Sequence, residues 1–363
     1  MKAAVLKRPR HLVVEDIPPF GLAPDEVMVQ VEACGICGSD LRYYVGENPW
    51  ALHTKGTAQA NPANIVLGHE FVGRVVEAGS SQPEGLIGKR VAVLPYRNCQ
   101  TCYHCRHGMH NLCPNMIHYG HGAGWGEAEY CPGGMAELCP VWAEKCYVLP
   151  EDLPPHEAAL LDGLGVSLHA VRTAGFQPSK DLAVIGCGPI GMGIAAVARA
   201  WGAGKIFCVD VYGVALEIAR EVTGGHAIDA RRMDPVACVQ ERTAGLGVSF
   251  AFDTVCTTQT QRQGLSILGN QGVLVNMATK KLDVTINLTD LGGERMLRGS
   301  SNYLIPEFQM AIDLLVAGQI KAAPWITHRL PLQAVPDTFA MLLNKEASGA
   351  FKAVVEPRSE STR

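Results

Sequence analysis

The chain has 363 residues, of which 47% are hydrophobic and 18% charged, and a formal net charge of −4. That length exceeds the size at which single cores stop growing, so two domains are expected, and the balance excludes a disordered or fibrous chain. No block of Lys and Arg is long enough to serve as an electrostatic footprint for nucleic acid or an anionic membrane.

The N-terminus, Met1 to Arg8, meets charge before an apolar stretch can form, so no signal peptide is read and a cytoplasmic location is expected. Lys2 to Leu6 and His11 to Glu15 read as short strands, and Glu26 to Glu32 alternates polar and apolar residues as a third. The stretch Gly35-Ile36-Cys37-Gly38-Ser39-Asp40 follows, with a thiol, a hydroxyl and a carboxylate within four residues. Asp40 to Ala63 loses periodicity and reads as a loop with at most one helical turn. Its Tyr43, Tyr44, Trp50 and His53, with Tyr96 and Arg97, are candidates to shape a pocket.

Gly68-His69-Glu70 precedes a return to strand at Val72 to Ala78 and Arg90 to Leu94, which makes the first part of the chain mainly β. Cys99, Cys102, Cys105 and Cys113 then have the spacing C-x2-C-x2-C-x7-C. Four thiolates can close a tetrahedral shell around a structural zinc; an iron–sulfur cluster and a nucleic-acid zinc ribbon are the other readings of such a set. His118 to Gly134, rich in glycine, reads as a surface loop; its His118 and His121 could be ligands, but exposed loop histidines are the commoner case and the one expected here.

Composition shifts at Leu149 to Pro155. Strand and helix alternate thereafter: Leu182 to Ile185, Pro189 to Gly202, Ile206 to Asp210, Val214 to Thr223, Phe250 to Asp253, Gln259 to Leu268 and Val273 to Met277. Such alternation predicts an α/β doubly wound parallel sheet. The apolar run from Leu182 to Ala203 is about as long as a bilayer span, but Gly186, Gly188, Pro189, Gly191 and Arg199 interrupt it. It reads as a buried strand, turn and helix. Two helices near Phe308 to Ala317 and Val335 to Asn344, a strand near Ala350 to Val355 and a frayed tail at Ser359 to Arg363 complete the chain.

Gly186-Cys187-Gly188-Pro189-Ile190-Gly191 is a G-x-G-x-x-G between a strand and a helix, and a second strand ends in Asp210. That context predicts a dinucleotide whose pyrophosphate meets the helix N-terminus and whose ribose meets Asp210. A carboxylate there repels a 2′-phosphate, and no Arg directly follows it, so NAD is expected rather than NADP. Cys37 and His69 are a partial ligand set for a catalytic metal, with Glu70 or Asp162 as the carboxylate that completes it.

Together these residues resemble the zinc-dependent medium-chain dehydrogenases, particularly the sorbitol and threonine dehydrogenase branch. The resemblance rests on Cys37-Gly38-Ser39-Asp40, Gly68-His69-Glu70, the four-cysteine lobe, Gly133-Gly134-Met135-Ala136-Glu137, the glycine fingerprint with its Asp, and Phe351-Lys352-Ala353-Val354. It implies a GroES-like, mainly β catalytic domain at residues 1–152, with a structural zinc lobe near 96–115, and again at 297–363. A Rossmann NAD-binding domain at 153–296 would lie between them, with the active site in the cleft. The family pattern gives Cys37 and His69 to the catalytic zinc, Glu70 to an alternate position near it and Asp162 to the third protein position. Ser39 would accept the substrate proton.

The chain departs from the family in two places. Asp162 is shorter than the Glu some members carry, and Arg42 stands where a histidine often continues the proton path; an arginine stays protonated and cannot relay. The expected activity is NAD-dependent oxidation of a secondary alcohol on a polyol, sugar or amino alcohol, with two zinc ions per chain and a homo-dimer or homo-tetramer. A primary alcohol or aldehyde dehydrogenase and a catalytically silent NAD-binding regulatory protein are the competing expectations.

Overall fold

The strand Glu26–Gly35 organises the first part of the molecule because its alternating apolar residues are buried; Val27, Val29, Val31 and Ala33 have no exposure at all. In this computed structural model, which describes residues 1–81, 84–277 and 282–358, the strand is central. It pairs antiparallel with Glu70–Ala78 and with Leu138–Trp142, and its end meets Lys352–Glu356. Its side chains pack with Phe71, Val75, Val91, Val93, Tyr119, Trp142 and Val355, and each fully buried Val or Phe contributes roughly 1.5–3 kcal/mol. Register then fixes the chemistry. Gly35 lies opposite Glu70 on one neighbour and opposite Val354 on the other, so three distant segments deliver Cys37, His69 with Glu70, and Lys352 to one end of the sheet. A slip of one residue would turn each apolar set outward.

The second part is a six-stranded parallel sheet in the order His226–Asp229, Ile206–Asp210, Leu182–Ile185, Val248–Asp253, Leu268–Asn276, Met296–Gly299. The first strand in sequence lies in the middle and the chain winds outward both ways, which places a ligand crevice at the carboxyl end of Leu182–Ile185. Helices Pro189–Ala200, Gly213–Thr223, Pro235–Arg242 and Thr258–Ile267 connect the strands. The sheet is the one expected, with elements the pattern did not show. His226–Asp229 and Met296–Gly299 are four-residue strands with little or no burial, so neither carries an alternating signal.

The chain divides into two compact units, Met1–Asp162 with Ile326–Arg363, and Gly163–Trp325. The second unit starts and ends later than the expected 153–296. Met296–Gly299 adds its sixth strand, and Tyr303 stacks on Phe308 and lies over Gly165 within the same unit. The tail expected at Ser359 to Arg363 lies outside the described residues. Among the described residues no helix is long and apolar enough to cross a membrane.

Candidate active site and cofactor site

Cys37 caps the helix Gly38–Tyr44, which runs into the segment Asp40 to Ala63 expected to be loop. Asp40, fully buried, closes the cap: its Oδ2 accepts the Cys37 N–H at 2.8 Å, and its Oδ1 accepts the Gly68 N–H at 3.4 Å. Oδ1 also lies 3.6 Å from Nδ1 of His69. One carboxylate thus ties the Cys37 turn to the His69 segment and stands beside the imidazole, the place carboxylates take behind metal-binding histidines. Gly68 is required where it stands, since its φ is +92° and a Cβ would run into Cys34 and Met135.

Donor atoms of Cys37, His69 and Glu70 all lie within 4.8 Å of one another. Burial opposes the charged form of His69, but Asp40 and Cys37 beside it outweigh that and lift its pKa well above the ordinary value. The pocket therefore favours positive charge. A thiol, an imidazole and carboxylates converging in such a pocket fit the ligand set of a zinc with an open position. Glu70 Oε2 is bound to the Nζ of Lys352, both side chains are buried, and Nζ also donates to the Ile36 carbonyl at 3.0 Å. Gly35 leaves room for this pair, because a Cβ there would collide with the Glu70 carboxylate. Asp162 stands in the first turn of the helix Leu161–Thr173 with Oδ2 3.8 Å from Nε2 of His69.

The histidines expected on a surface loop are instead inside. His118 and His121 are only 7% and 9% exposed. Their rings stack on each other at 4.1 Å, and His121 meets the His69 ring at 4.3 Å and stacks on Tyr43 at 4.9 Å. Nε2 of His121 is 3.5 Å from the Ser39 hydroxyl. Burial, reinforced by His69, pushes His118 down to about 3 and His121 well below its usual value, so both rings are neutral. Arg42 binds Glu47 at 2.6 Å. Arg97, considered above as a pocket residue, is committed to Asp25 and Glu144 and lies over the Trp142 ring. Tyr96 has no exposure.

The four cysteines of the lobe converge as their spacing predicts. Cys99 and Cys113 sulfurs are 3.6 Å apart, Cys102 and Cys113 3.9 Å, Cys99 and Cys105 4.0 Å. Zn–S bonds of about 2.3 Å make a tetrahedron whose edges are about 3.8 Å, so these separations fit a single ion. A multi-iron cluster spreads its thiolates over two or more irons and needs some of them further apart than the 4.8 Å within which all four lie. Backbone N–H groups of Cys99, Cys102 and Cys105 point at sulfurs at 3.4 Å. Donors at Thr101 and Cys102 pull the Cys99 thiol down to about 5, while burial pushes Cys113 up to about 12.

In the second unit the three glycines of the fingerprint do different work. Gly186 has φ +86°, and a Cβ on it would strike Thr254 and Val255. Gly191 packs so closely that a Cβ would meet the Gly186 carbonyl, whereas around Gly188 nothing lies within 4 Å. That open space lies at the N-cap of Pro189–Ala200, with Pro189 in its first turn and Ile190 following. It is the cradle a pyrophosphate occupies in such folds. Asp210 accepts from the backbone N–H of Cys187 at 2.6 Å, Val211 at 2.6 Å and Tyr212 at 2.9 Å. Asp229 is its partner on the next strand and binds both Arg231 and Arg232. Those arginines reach the edge from a strand the sequence pattern did not reveal. A separate cavity of about 530 Å³, lined by Lys180, Leu246, Asn270 and Arg295 among others, lies at the opposite, amino end of the strands.

Residues 23–151 match the model of the alcohol dehydrogenase GroES-like domain, and residues 189–317 that of the zinc-binding dehydrogenase. The chain belongs to the zinc-dependent medium-chain dehydrogenase family, as its motifs led us to expect. Its likeness is to the sorbitol dehydrogenase branch. It is 27% identical to sorbitol dehydrogenase of Bacillus subtilis strain 168 over 98% of this chain and 97% of the other. It is 30% identical to "Probable D-xylulose reductase A" of Aspergillus clavatus, over 92% and 91%. A crystal structure of a zinc-binding dehydrogenase homologue from Sinorhizobium meliloti 1021, bound to NADP, superposes with a TM-score of 0.86 at 27% identity over 98% of this chain and 99% of that one.

Proposed function

We propose that this zinc-type alcohol oxidoreductase reversibly oxidises a secondary alcohol of a polyol, sugar or amino alcohol to a ketone, with NAD as the hydride acceptor and two zinc ions per chain. The observation that carries the reading is the convergence of Cys37 and His69 with the carboxylates of Glu70 and Asp162, with the Ser39 hydroxyl reached through His121, whose ring meets that of His69. When bound, a zinc polarises the substrate oxygen and the nicotinamide accepts the hydride.

Cys37 and His69 would hold the catalytic ion, and Asp40 keeps His69 turned toward it. Glu70 is already neutralised by Lys352, so the Cys37 thiolate and the Asp162 carboxylate would together balance a divalent charge. That favours Asp162 over Glu70 as the third ligand, with Glu70 as an alternate that must first leave Lys352. Ser39 takes the substrate proton. Arg42, held by Glu47, does not continue the path. Cys99, Cys102, Cys105 and Cys113 would hold a structural zinc with no open position.

Gly186, Gly188, Pro189, Ile190 and Gly191 would receive the pyrophosphate and Asp210 the ribose hydroxyls. Arg231 and Arg232 are occupied by Asp229, so the negative charge of Asp210 is the deciding feature for NAD. We take the enzyme to be cytoplasmic, as its thirteen free cysteines suggest. We also take it to be a homo-dimer or homo-tetramer. The edge strand Met296–Gly299 leaves Met296 and Leu297 exposed, a natural surface for a second copy.

A screen of dinucleotide reduction over polyols, aminocyclitols, sugar acids and amino alcohols, with NAD and NADP in parallel, tests the reading. Turnover of a secondary polyol hydroxyl with NAD at least tenfold ahead of NADP is expected. Preference for NADP would refute the cofactor assignment, and preference for primary alcohols the substrate assignment.

A further inference from the structure

His121 is an expensive residue for its position. Among the described residues its Nδ1 is buried without a partner, and its Nε2 meets the Ser39 hydroxyl at the long distance of 3.5 Å. What holds the ring is stacking, on Tyr43 at 4.9 Å and 28° and on His118 at 4.1 Å and 13°. Both supports are themselves fixed. Tyr43 has no exposure and bonds Asn48 through its hydroxyl, and Nδ1 of His118 bonds the Tyr119 carbonyl at 2.7 Å. A phenyl ring would stack equally well and would avoid the roughly 1–3 kcal/mol that a buried unsatisfied nitrogen costs. Nε2, with that one long contact, has capacity for a further partner entering the site beside Ser39.

We propose that His121 is a specificity-determining residue that hydrogen-bonds, through Nε2, the hydroxyl next to the one being oxidised, and so selects vicinal diols over simple alcohols. The inference rests on the proposed function, in which the reacting oxygen meets Ser39. Two hydroxyls on adjacent carbons, when gauche, stand at about hydrogen-bond distance from each other. A diol whose reacting oxygen is on Ser39 brings its neighbour within reach of a nitrogen 3.5 Å from that same hydroxyl. A monoalcohol leaves the nitrogen without its partner, and sites built around a hydroxyl discriminate strongly against ligands that lack it.

The test compares propylene glycol with isopropanol, which differ by the second hydroxyl, in wild type, His121→Phe and His121→Gln. Two readouts are taken: kcat/KM for oxidation, and the dissociation constant of each alcohol from the NADH-loaded holoenzyme, followed by cofactor fluorescence. Zinc content and thermal midpoint are recorded for each variant. Wild type is expected to favour the glycol about tenfold or more in both readouts. In His121→Phe that ratio falls toward one, and in His121→Gln, which keeps a polar group, it is partly restored. A ratio unchanged in His121→Phe, or a wild type indifferent to the second hydroxyl, overturns the inference and leaves the dehydrogenase reading intact. A wild type that oxidises no alcohol refutes the proposed activity and the inference together, because no reacting oxygen then meets Ser39.

Discussion

The two metal-ligand clusters of the first unit are built in opposite ways. The lobe takes four cysteines from a single window of the chain, Cys99 to Cys113, and needs little else, since backbone N–H groups of the same turns already point at the sulfurs. The Cys37 cluster draws Cys37, His69 with Glu70, and Lys352 from three distant segments and depends on sheet register to bring them together. Its polar groups are tied to further partners, Asp40 behind His69 and Lys352 behind Glu70. With zinc bound as proposed, the local cluster would make a closed, self-sufficient shell, and the assembled one would leave a side open and be tuned by groups that never touch the ion.

If the assembled cluster does the chemistry, Cys37→Ala should lower turnover by about a thousandfold or more, the scale of several kcal/mol of lost transition-state stabilisation. Steady-state kinetics on the best substrate of the screen reads this, and retention of even a tenth of the wild-type rate would break the distinction between the two clusters. Lys352→Met should come next in size, because it leaves Glu70 buried without its partner. Removing one member of a buried pair costs about 3–5 kcal/mol. Urea unfolding should show that loss, and the double variant with Glu70→Gln should recover most of it. A loss under about 1 kcal/mol in Lys352→Met would mean that Glu70 has another partner.

The smallest effect belongs to His118. Its pKa falls from 6.5 in a free chain to about 3 in the fold because burial disfavours the charged ring. As pH drops below 6.5 the unfolded chain takes the proton first, so stability declines by roughly 1 kcal/mol per pH unit until the folded ring also titrates near 3. The difference in unfolding free energy between wild type and His118→Phe, measured from pH 7 to pH 4.5, should widen in favour of the variant as the solution is acidified. A difference independent of pH would show that the ring is not held neutral.

The same contrast governs what was legible in the sequence. The cysteine spacing and the glycine fingerprint are local patterns with a physical reason for each residue, and the four sulfurs of the lobe do lie together. Lys352 was visible only as part of a closing motif. A lysine in an apolar strand is the signal, but its partner lies 282 residues away, and only strand register joins them. His118 and His121 were misread because glycine-rich composition implies an exposed loop, whereas Tyr43, His69 and Ser39 arrive from elsewhere to cover them. Arg231 and Arg232 were missed with the short strand His226–Asp229 that precedes them.

The account depends most on there being two separate ion sites, one closed and one open. Zinc per chain, measured by plasma mass spectrometry on wild type, Cys37→Ala and Cys102→Ala purified in parallel, tests this directly. We predict two ions in the wild type and one in each variant, with turnover lost in Cys37→Ala. A single zinc in the wild type, or both ions retained in Cys37→Ala, would contradict it.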